Sequence, residues 1–177
     1  ARAKASRHGI VHAGTAEDYD LPAGQAFRYV LMANSLEHVI SPLDALKRIR
    51  ERLSPGGKLV IEVPNCASQG FRRYGPMWPW TDLPRHLHFF TRRSLTAALA
   101  HCGYAVRRVV HVGYARQFDV AWMEEMERIR RQARISGFTP DVGALADWRL
   151  LARTAFGTDD DKYDSIRIHA EPAQRSA

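Results

Sequence analysis

Residues 35–65 decide the fold of this chain, and they read SLEHVISPLDALKRIRERLSPGGKLVIEVPN. Apolar residues recur every three or four positions from Leu36 to Leu53, which predicts a helix with one apolar face. The Ser-Pro-Gly-Gly sequence at residues 54–57 ends this helix, because proline cannot continue it and glycine accepts a positive φ. The apolar run at residues 59–63 is typical of a buried strand.

A second apolar run precedes this stretch. Residues 27–32 are mostly apolar, as expected for a parallel strand covered on both faces. A strand, a helix and a strand in this order predict half of a doubly wound α/β sheet. Ligands of such sheets bind beyond the carboxyl ends of the strands, where the polar residues 33–35 and 64–65 fall. We therefore expect a binding site at this edge.

Several segments in the same order resemble class I S-adenosylmethionine-dependent methyltransferases, and in particular a branch that acts on small molecules. They are Leu-Glu-His-Val at 36–39, the Ser-Pro-Gly-Gly turn with the strand after it, WTDLPRHLHFFT at 80–91 and CGYAV at 102–106. The resemblance covers about residues 1–112. It implies a partial Rossmann-like, mostly parallel sheet, S-adenosylmethionine (SAM) as the cofactor, and methyl transfer to a small-molecule acceptor.

Two parts of the family pattern are missing from this sequence. In the family a first strand ends in a glycine-rich turn beside the cofactor, and a second strand ends in an acid that binds the ribose hydroxyls. The pattern Gly-x-Gly does not occur among the 177 residues. The resemblance therefore implies an incomplete catalytic domain that begins in the middle of the fold. The alternative is a non-catalytic remnant that acts as an interaction domain.

The chain is expected to form a single methyltransferase-like domain over residues 1–177. Residues 66–90 contain an aromatic insertion that we expect to cover the carboxyl edge of the sheet. Residues 113–177 are expected to form C-terminal helices and a final strand. Parallel strands are predicted at 10–13, 27–32 and 59–63, an antiparallel strand at 106–112 or 165–170, and further helices at 118–135 and 142–155.

The resemblance places the cofactor on two segments. The expected cofactor-binding residues are Thr15, Ala16, Glu17, Asn34, Ser35 and His38. The first three follow the strand at residues 10–13, where the family binds adenine. The last three follow the next strand, where the family lines the methionine part and the reactive methyl group. A helix cap for Asn34 or Ser35, and a surface or interhelical role for Glu37 and His38, are the structural alternatives.

His86 and His88 are the candidate catalytic residues. Methyl transfer from a sulfonium is an in-line displacement, so the protein positions the reactants and removes a proton from a hydroxyl or ammonium acceptor. Histidine suits that task, and in a strand-like segment both side chains face the same way. The alternative is a structural role in which the rings bond the insertion to the sheet. No metal site is expected, because no second ligand cluster accompanies the pair.

The composition limits the partners. A formal net charge of +7 raises the question of nucleic-acid binding. The basic residues are spread along the chain without a recognised nucleic-acid module, so no such partner is expected. The sequence also lacks a run of apolar residues long enough to span a bilayer, and lacks the pattern of a signal peptide, which predicts a cytoplasmic protein. Missing strands would leave an exposed sheet edge, which predicts self-association.

Overall fold

The computed structural model describes residues 4–6, 9–11, 25–114, 128 and 144–174. In these residues the strands are β1 (Lys4–Ser6), β2 (Gly9–Val11), β3 (Phe27–Ala33), β4 (Leu53–Pro64), β5 (Tyr104–Val112) and β6 (Ser165–Pro172). The α-helices are α1 (Pro42–Arg52), α2 (Gln69–Tyr74), α3 (Arg92–His101), α4 (Ala144–Ala155) and α5 (Asp159–Lys162). Short 3-10 helices span Leu36–His38, Gly75–Met77 and Pro79–Thr81.

Four strands form the main sheet, in the order β3-β4-β6-β5. β3 and β4 are parallel, with Val30 opposite Leu59. β6 is antiparallel to both of its neighbours, and Ile168 lies opposite Ile61 of β4 and Val109 of β5. The two antiparallel strands predicted as alternatives therefore both occur. The resulting mixed sheet with helices is the partial Rossmann-like α/β arrangement that the sequence predicts, but in the described residues only the β3–β4 pair is parallel, whereas a mostly parallel sheet was expected.

The prediction that residues 10–13 join this sheet is wrong. β2 pairs antiparallel with β1 in a separate two-stranded sheet, where Ile10 lies opposite Ala5. Only two residues of sequence separate β1 from β2, so their pairing closes a far shorter loop than pairing of β2 with β3. Within the described part of the chain β3 is thus an edge strand, and Leu31 on it is 68% exposed.

The helix after β3 begins later than the apolar pattern predicts. α1 starts at Pro42, and the preceding residues form a 3-10 helix and a short extended segment. The backbone N–H groups of Leu87 and His88 donate to the carbonyl of Glu37, at 2.8 and 3.1 Å. That carbonyl is therefore used by a distant segment rather than by a continuous helix. Proline at the first helical position then fixes the start of α1.

One face of the main sheet carries the hydrophobic core. The Tyr104 hydroxyl donates to the Leu46 carbonyl at 2.9 Å, which joins α1 to the start of β5 across this core. Alternate residues of β4 and β6 point into it, as the two-residue period of a strand requires. The fully buried core residues are Leu36, Leu46, Leu59, Ile61, Val63, Leu95, Leu99, Ile166 and Ile168. This packing fixes the positions of the carboxyl ends of β3 and β4.

The C-terminal region is described in part. The helix predicted at 142–155 is confirmed as α4, whereas the one predicted at 118–135 lies outside the described residues except for Arg128. Asp159 to Asp161, which resemble a polar loop in the sequence, begin the short helix α5 behind a Thr158 cap. No described helix is both long and apolar enough to cross a lipid bilayer.

The Asp160 carboxylate joins α5 to the sheet. It accepts hydrogen bonds from His111 Nε2 on β5 at 2.8 Å and from Arg92 Nε on α3 at 2.9 Å. Burial alone would raise the pKa of this carboxyl group. The two donors outweigh burial and hold the pKa of Asp160 below its ordinary value.

We expect the Asp160 contribution to stability to vanish in acid. Because the pKa of Asp160 is lowered by folding, the contribution is complete above the ordinary aspartate value of about 4 and disappears as the pH falls through the folded value. Asp160→Asn should therefore lower the free energy of unfolding by about 1 kcal/mol at pH 7, since the Arg92 partner is half exposed. Urea unfolding at neutral and acid pH measures this, and a difference that does not shrink in acid would contradict it.

Candidate functional site

The site is built where β3 ends. The chain turns at Asn34, whose φ of 46° lies in the left-handed region that asparagine tolerates. The Asn34 backbone N–H donates to the Glu62 carbonyl of β4 at 2.8 Å, so the turn is anchored to the neighbouring strand. The Asn34 side chain is exposed. Ser35 occupies the N-cap position of the following 3-10 helix but makes no side-chain capping bond, so the capping alternative does not account for its hydroxyl.

Glu37, His38 and His86 form one cluster, which we call the Glu37 cluster. A carboxylate oxygen of Glu37 and one ring nitrogen of each histidine all lie within 4.8 Å of one another. The two imidazole rings meet edge to face, with centroids 4.6 Å apart. The structure thus brings together His38 and His86, which the sequence places in the site by separate arguments. It adds Glu37, which is 1% exposed and for which the sequence analysis names a surface or interhelical role only as an alternative.

The insertion positions His86 through its backbone. Leu87 and His88 bond the Glu37 carbonyl, and the carbonyl of Arg85 lies 2.9 Å from His38 Nδ1. The ends of the insertion are close together, because the Cys66 N–H donates to the Phe90 carbonyl at 2.8 Å. Residues 85–88 therefore lie against the turn that follows β3. That the whole of residues 66–90 covers the carboxyl edge remains a prediction.

The environment of His86 fixes its tautomer. Its Nδ1 lies 2.6 Å from the Trp80 carbonyl, and since a carbonyl only accepts, Nδ1 carries the hydrogen. In the neutral ring Nε2 then has a free lone pair, 3.9 Å from both Glu37 Oε1 and Asp82 Oδ2. Burial is the main cause that lowers the pKa of His86, which favours this neutral form.

Glu37 is the buried acid of the cluster. Neither of its carboxylate oxygens has a hydrogen-bond partner among the described residues. Burial, as the largest effect, raises the pKa of this carboxyl group. A buried acceptor without a donor is costly, so its presence at the end of β3 calls for a functional explanation.

His88 differs from His86. Its Nε2 lies 3.3 Å from the Ile40 carbonyl, and its side chain is only half-buried. Residues 86–90 have no regular secondary structure, so the expectation of a strand segment with both rings on one side is wrong. The backbone bonds from this segment to Glu37 replace a strand ladder. His88 is thus placed as a contact between the insertion and the segment before α1.

The aromatic residues of the insertion are divided between two roles. Trp78 is 1% exposed and packs edge to face on Phe71 at 5.7 Å, inside the insertion itself. Trp80 donates from Nε1 to Asp164 Oδ2 at 3.3 Å. Burial also raises the pKa of the Cys66 thiol to about 12, so this cysteine is no nucleophile at neutral pH.

Some of the polar residues predicted at the site have a structural role, and others lie outside the described residues. Thr15, Ala16 and Glu17 lie outside the described residues. Asn65, at the end of β4, is fully buried and donates from Nδ2 to the carbonyls of Asp160 and Tyr163, at 2.7 and 2.9 Å. Asn65 therefore holds the C-terminal segment against the sheet. Its amide is not free for a ligand.

SAM fits the described residues in part. The amide of Asn34, the hydroxyl of Ser35 and the ring of His38 form a polar set suited to the methionine end of the cofactor. Of the two acids close to the end of β3, Glu37 is buried and Glu62 accepts from Arg167 Nε at 2.8 Å. Within residues 25–114 and 144–174, neither of these acids is therefore available for ribose hydroxyls. The polar groups of Asn34, Ser35 and His38 therefore fit the methionine part of SAM, and the described acids near them do not fit its ribose.

Comparison with known proteins identifies related methyltransferases. Two curated relatives share 28% identity with this chain: a ubiquinone biosynthesis O-methyltransferase of Parvibaculum lavamentivorans, over 137 residues, and a tRNA U34 carboxymethyltransferase of Chromohalobacter salexigens, over 131 residues. The alignments cover 69% and 68% of this chain. They cover 54% and 39% of the relatives, so the chain spans about half or less of their length.

Solved structures show the same fold. A SAM-dependent methyltransferase from Thermotoga maritima, described as a possible histamine N-methyltransferase, superposes with a TM-score of 0.59 at 18% sequence identity. The superposition covers 90% of this chain and 61% of the Thermotoga chain. The CcbJ methyltransferase from Streptomyces caelestis superposes with a TM-score of 0.53 at 14% sequence identity, and the superposition covers 91% of this chain and 62% of the CcbJ chain. A family model described as a methyltransferase domain matches residues 1–109 of this chain. The chain therefore belongs to the methyltransferase domain family.

Proposed function

We propose that the chain is part of the catalytic domain of a SAM-dependent methyltransferase whose acceptor is a small molecule with a hydroxyl group. The observation that carries this proposal is the Glu37 cluster at the carboxyl end of β3, in a chain of the methyltransferase family. A hydroxyl acceptor must lose its proton during methyl transfer. The free lone pair on His86 Nε2 is a suitable receiver.

Each residue of the site has a task in this scheme. SAM supplies an electrophilic methyl group when it is bound. Asn34, Ser35 and His38 orient its methionine end at the turn after β3. The Trp80 carbonyl holds the His86 ring in the tautomer that can accept a proton. The Glu37 carboxylate, 3.9 Å from that ring, stabilises the imidazolium that forms.

Part of the positive charge of the chain is paired with acids of the same chain, which favours a small acceptor over a nucleic acid. Several arginines are engaged by acids of the same chain, so they do not form a free basic surface. The pairs are Arg72 with Asp161 at 2.7 Å, Arg92 with Asp160 at 2.9 Å, Arg107 with Glu171 at 3.0 Å and Arg167 with Glu62. The O-methyltransferase name of one relative points to an oxygen acceptor. The name of the other makes tRNA the competing acceptor to be tested.

The proposal is tested by methyl transfer in the natural full-length protein. We expect tritium from methyl-labelled SAM to enter a dihydroxybenzoate probe and not bulk tRNA. His86→Asn keeps an amide donor for the Trp80 carbonyl and removes Nε2. It should lower kcat by about 100-fold or more and change KM for SAM far less, since proton transfer contributes at least that factor. His88→Asn is the matched control and should retain most of the activity.

Three outcomes would overturn parts of the proposal. Label that enters only tRNA would exclude the small-molecule acceptor. Equal kcat values for His86→Asn and His88→Asn would show that both histidines have only a structural role. A full-length protein that binds no SAM and transfers no label to either acceptor would favour the non-catalytic interaction domain.

A further inference from the structure

Each of the three residues of the Glu37 cluster offers one ligand atom, and these atoms lie within 4.8 Å of one another. The Glu37 carboxylate is 1% exposed and lacks a hydrogen-bond donor among the described residues. The His86 ring uses its Nδ1–H on the Trp80 carbonyl and presents only a lone pair at Nε2. His38 Nδ1 lies 2.9 Å from the Arg85 carbonyl, which likewise requires a hydrogen on that nitrogen and leaves a lone pair on the other.

A cation is the simplest partner for such an arrangement. Asp82, the other carboxylate near His86, is bound by Arg85 and so does not compete for this role. A proton shared between Glu37 and His86 would need a contact of about 2.6–3.2 Å. Their separation is 3.9 Å, which is too long for a hydrogen bond and close to the spacing of two ligands on one ion. Ligands at about 2.0–2.2 Å from zinc lie roughly 3.4 Å apart, which small side-chain rotations would reach.

We propose that Glu37, His38 and His86 bind a divalent transition-metal ion, with Zn²⁺ as the ion of best fit. Two imidazoles and one carboxylate form a donor set that suits such ions, whereas Mg²⁺ prefers oxygen ligands alone. In metal sites the ligating histidine commonly donates its second ring nitrogen to a backbone carbonyl, and both histidines have such a carbonyl. This proposal replaces the sequence-based expectation that the chain has no metal site.

Three protein ligands leave a coordination position open. The His38 side chain is exposed, so this position would face the surface at the end of β3. If the proposed function holds, the open position would take the acceptor oxygen and lower its pKa, so that its proton would be lost to solvent, and His86 would be a ligand rather than the base that receives this proton. The binding of the ion itself does not depend on the proposed function.

The test uses the whole 177-residue chain, stripped with a chelator, without SAM or acceptor. We expect calorimetric titration with Zn²⁺ to give one site of micromolar affinity or better, Co²⁺ to give the ligand-field absorption of a low-coordinate site, and Mg²⁺ to give no heat. Glu37→Gln, His86→Asn and His38→Asn should each weaken Zn²⁺ binding at least tenfold, the order of effect that loss of a supporting group has on metal affinity. His88→Asn, outside the cluster, should bind like the unchanged chain.

The controls distinguish loss of metal binding from loss of folding. Circular dichroism shows whether the buried variants fold, and His38→Asn, at an exposed position, tests the site even if they do not. Unchanged Zn²⁺ affinity in the three cluster variants would assign binding to surface histidines and overturn the proposal. A chain that binds no Zn²⁺ or Co²⁺ would overturn it as well, and would leave protonation of Glu37 as the explanation. Because neither readout needs methyl transfer, failure of the proposed function would not be mistaken for failure of the metal site.

Discussion

On its own, the 177-residue chain is expected to bind SAM only at concentrations of about 0.1 mM or above. Micromolar affinity corresponds to about −8 kcal/mol of binding free energy. The residues at the end of β3 offer partners for the methionine end, but the two acids close to them, Glu37 and Glu62, are not available for the ribose, and the sequence has no Gly-x-Gly turn. Two or three missing hydrogen bonds, some of them to charged groups, remove very roughly 3 to 6 kcal/mol. Affinity should therefore fall by about two to four orders of magnitude.

Calorimetric titration of this chain with SAM measures the effect. The exposed Asn34 side chain serves as the internal probe, because Asn34→Gly removes the amide at the end of β3 and still accepts the left-handed φ of 46° at this position. Any residual SAM binding should weaken in that variant. Micromolar binding by the unchanged chain would show that the cofactor is held by residues other than those at the end of β3.

Patterns of neighbouring residues predicted those helices and strands that depend mainly on the residues within the segment itself. α1 ends at Arg52, and the proline and glycines predicted as a turn lie in the first part of β4, where Gly56 has a positive φ of 72°. The run at residues 59–63 lies within β4, and the alternation near the C-terminus lies within β6. The place of β6 between β4 and β5 is a property of tertiary packing, so the sequence could only offer it as one of two alternatives.

The errors occur where distant residues compete with local preference. The apolar spacing from Leu36 onward fits a helix, but the Glu37 carbonyl is taken by Leu87 and His88, which lie 50 residues away. The predicted strand at residues 10–13 pairs instead with its near neighbour in sequence, β1. Periodicity describes a segment by itself and carries no information on which other segment binds its backbone.

The candidate site was predicted in part for the same reason. His38 and His86 could be identified separately from the turn after β3 and from the insertion, but their contact depends on the bonds between residues 37 and 87–88. The burial of Glu37 has no sequence signal of its own, because charged residues are rarely buried without a partner. Its burial follows from the 3-10 helix Leu36–His38 and from the segment 87–88 that bonds to it, and these are features of the folded chain.

Asn65→Asp is expected to destabilise the chain by about 3 kcal/mol or more, a large part of the 5–15 kcal/mol typical of a domain. Asn65 Nδ2 donates to the Asp160 and Tyr163 carbonyls, while its Oδ1 accepts from the Ala67 N–H at 3.0 Å. An ionised aspartate has the same shape but no donor, so it faces both carbonyls with a negative charge at a fully buried position. Each carbonyl left without its donor costs about 1–3 kcal/mol.

Asn34→Asp is the matched control for this prediction. It makes the same chemical change at an exposed position, where aspartate tolerates the left-handed backbone as asparagine does, so its effect should stay within about 0.5 kcal/mol. Urea unfolding of the two variants and the unchanged chain at pH 7 gives the comparison. If both substitutions cost the same small amount, the Asn65 amide does not hold residues 160–163 against the sheet. If only Asn65→Asp is strongly destabilising, the polar residue after β4 belongs to the scaffold, and the ligand-binding groups at this edge are those that follow β3.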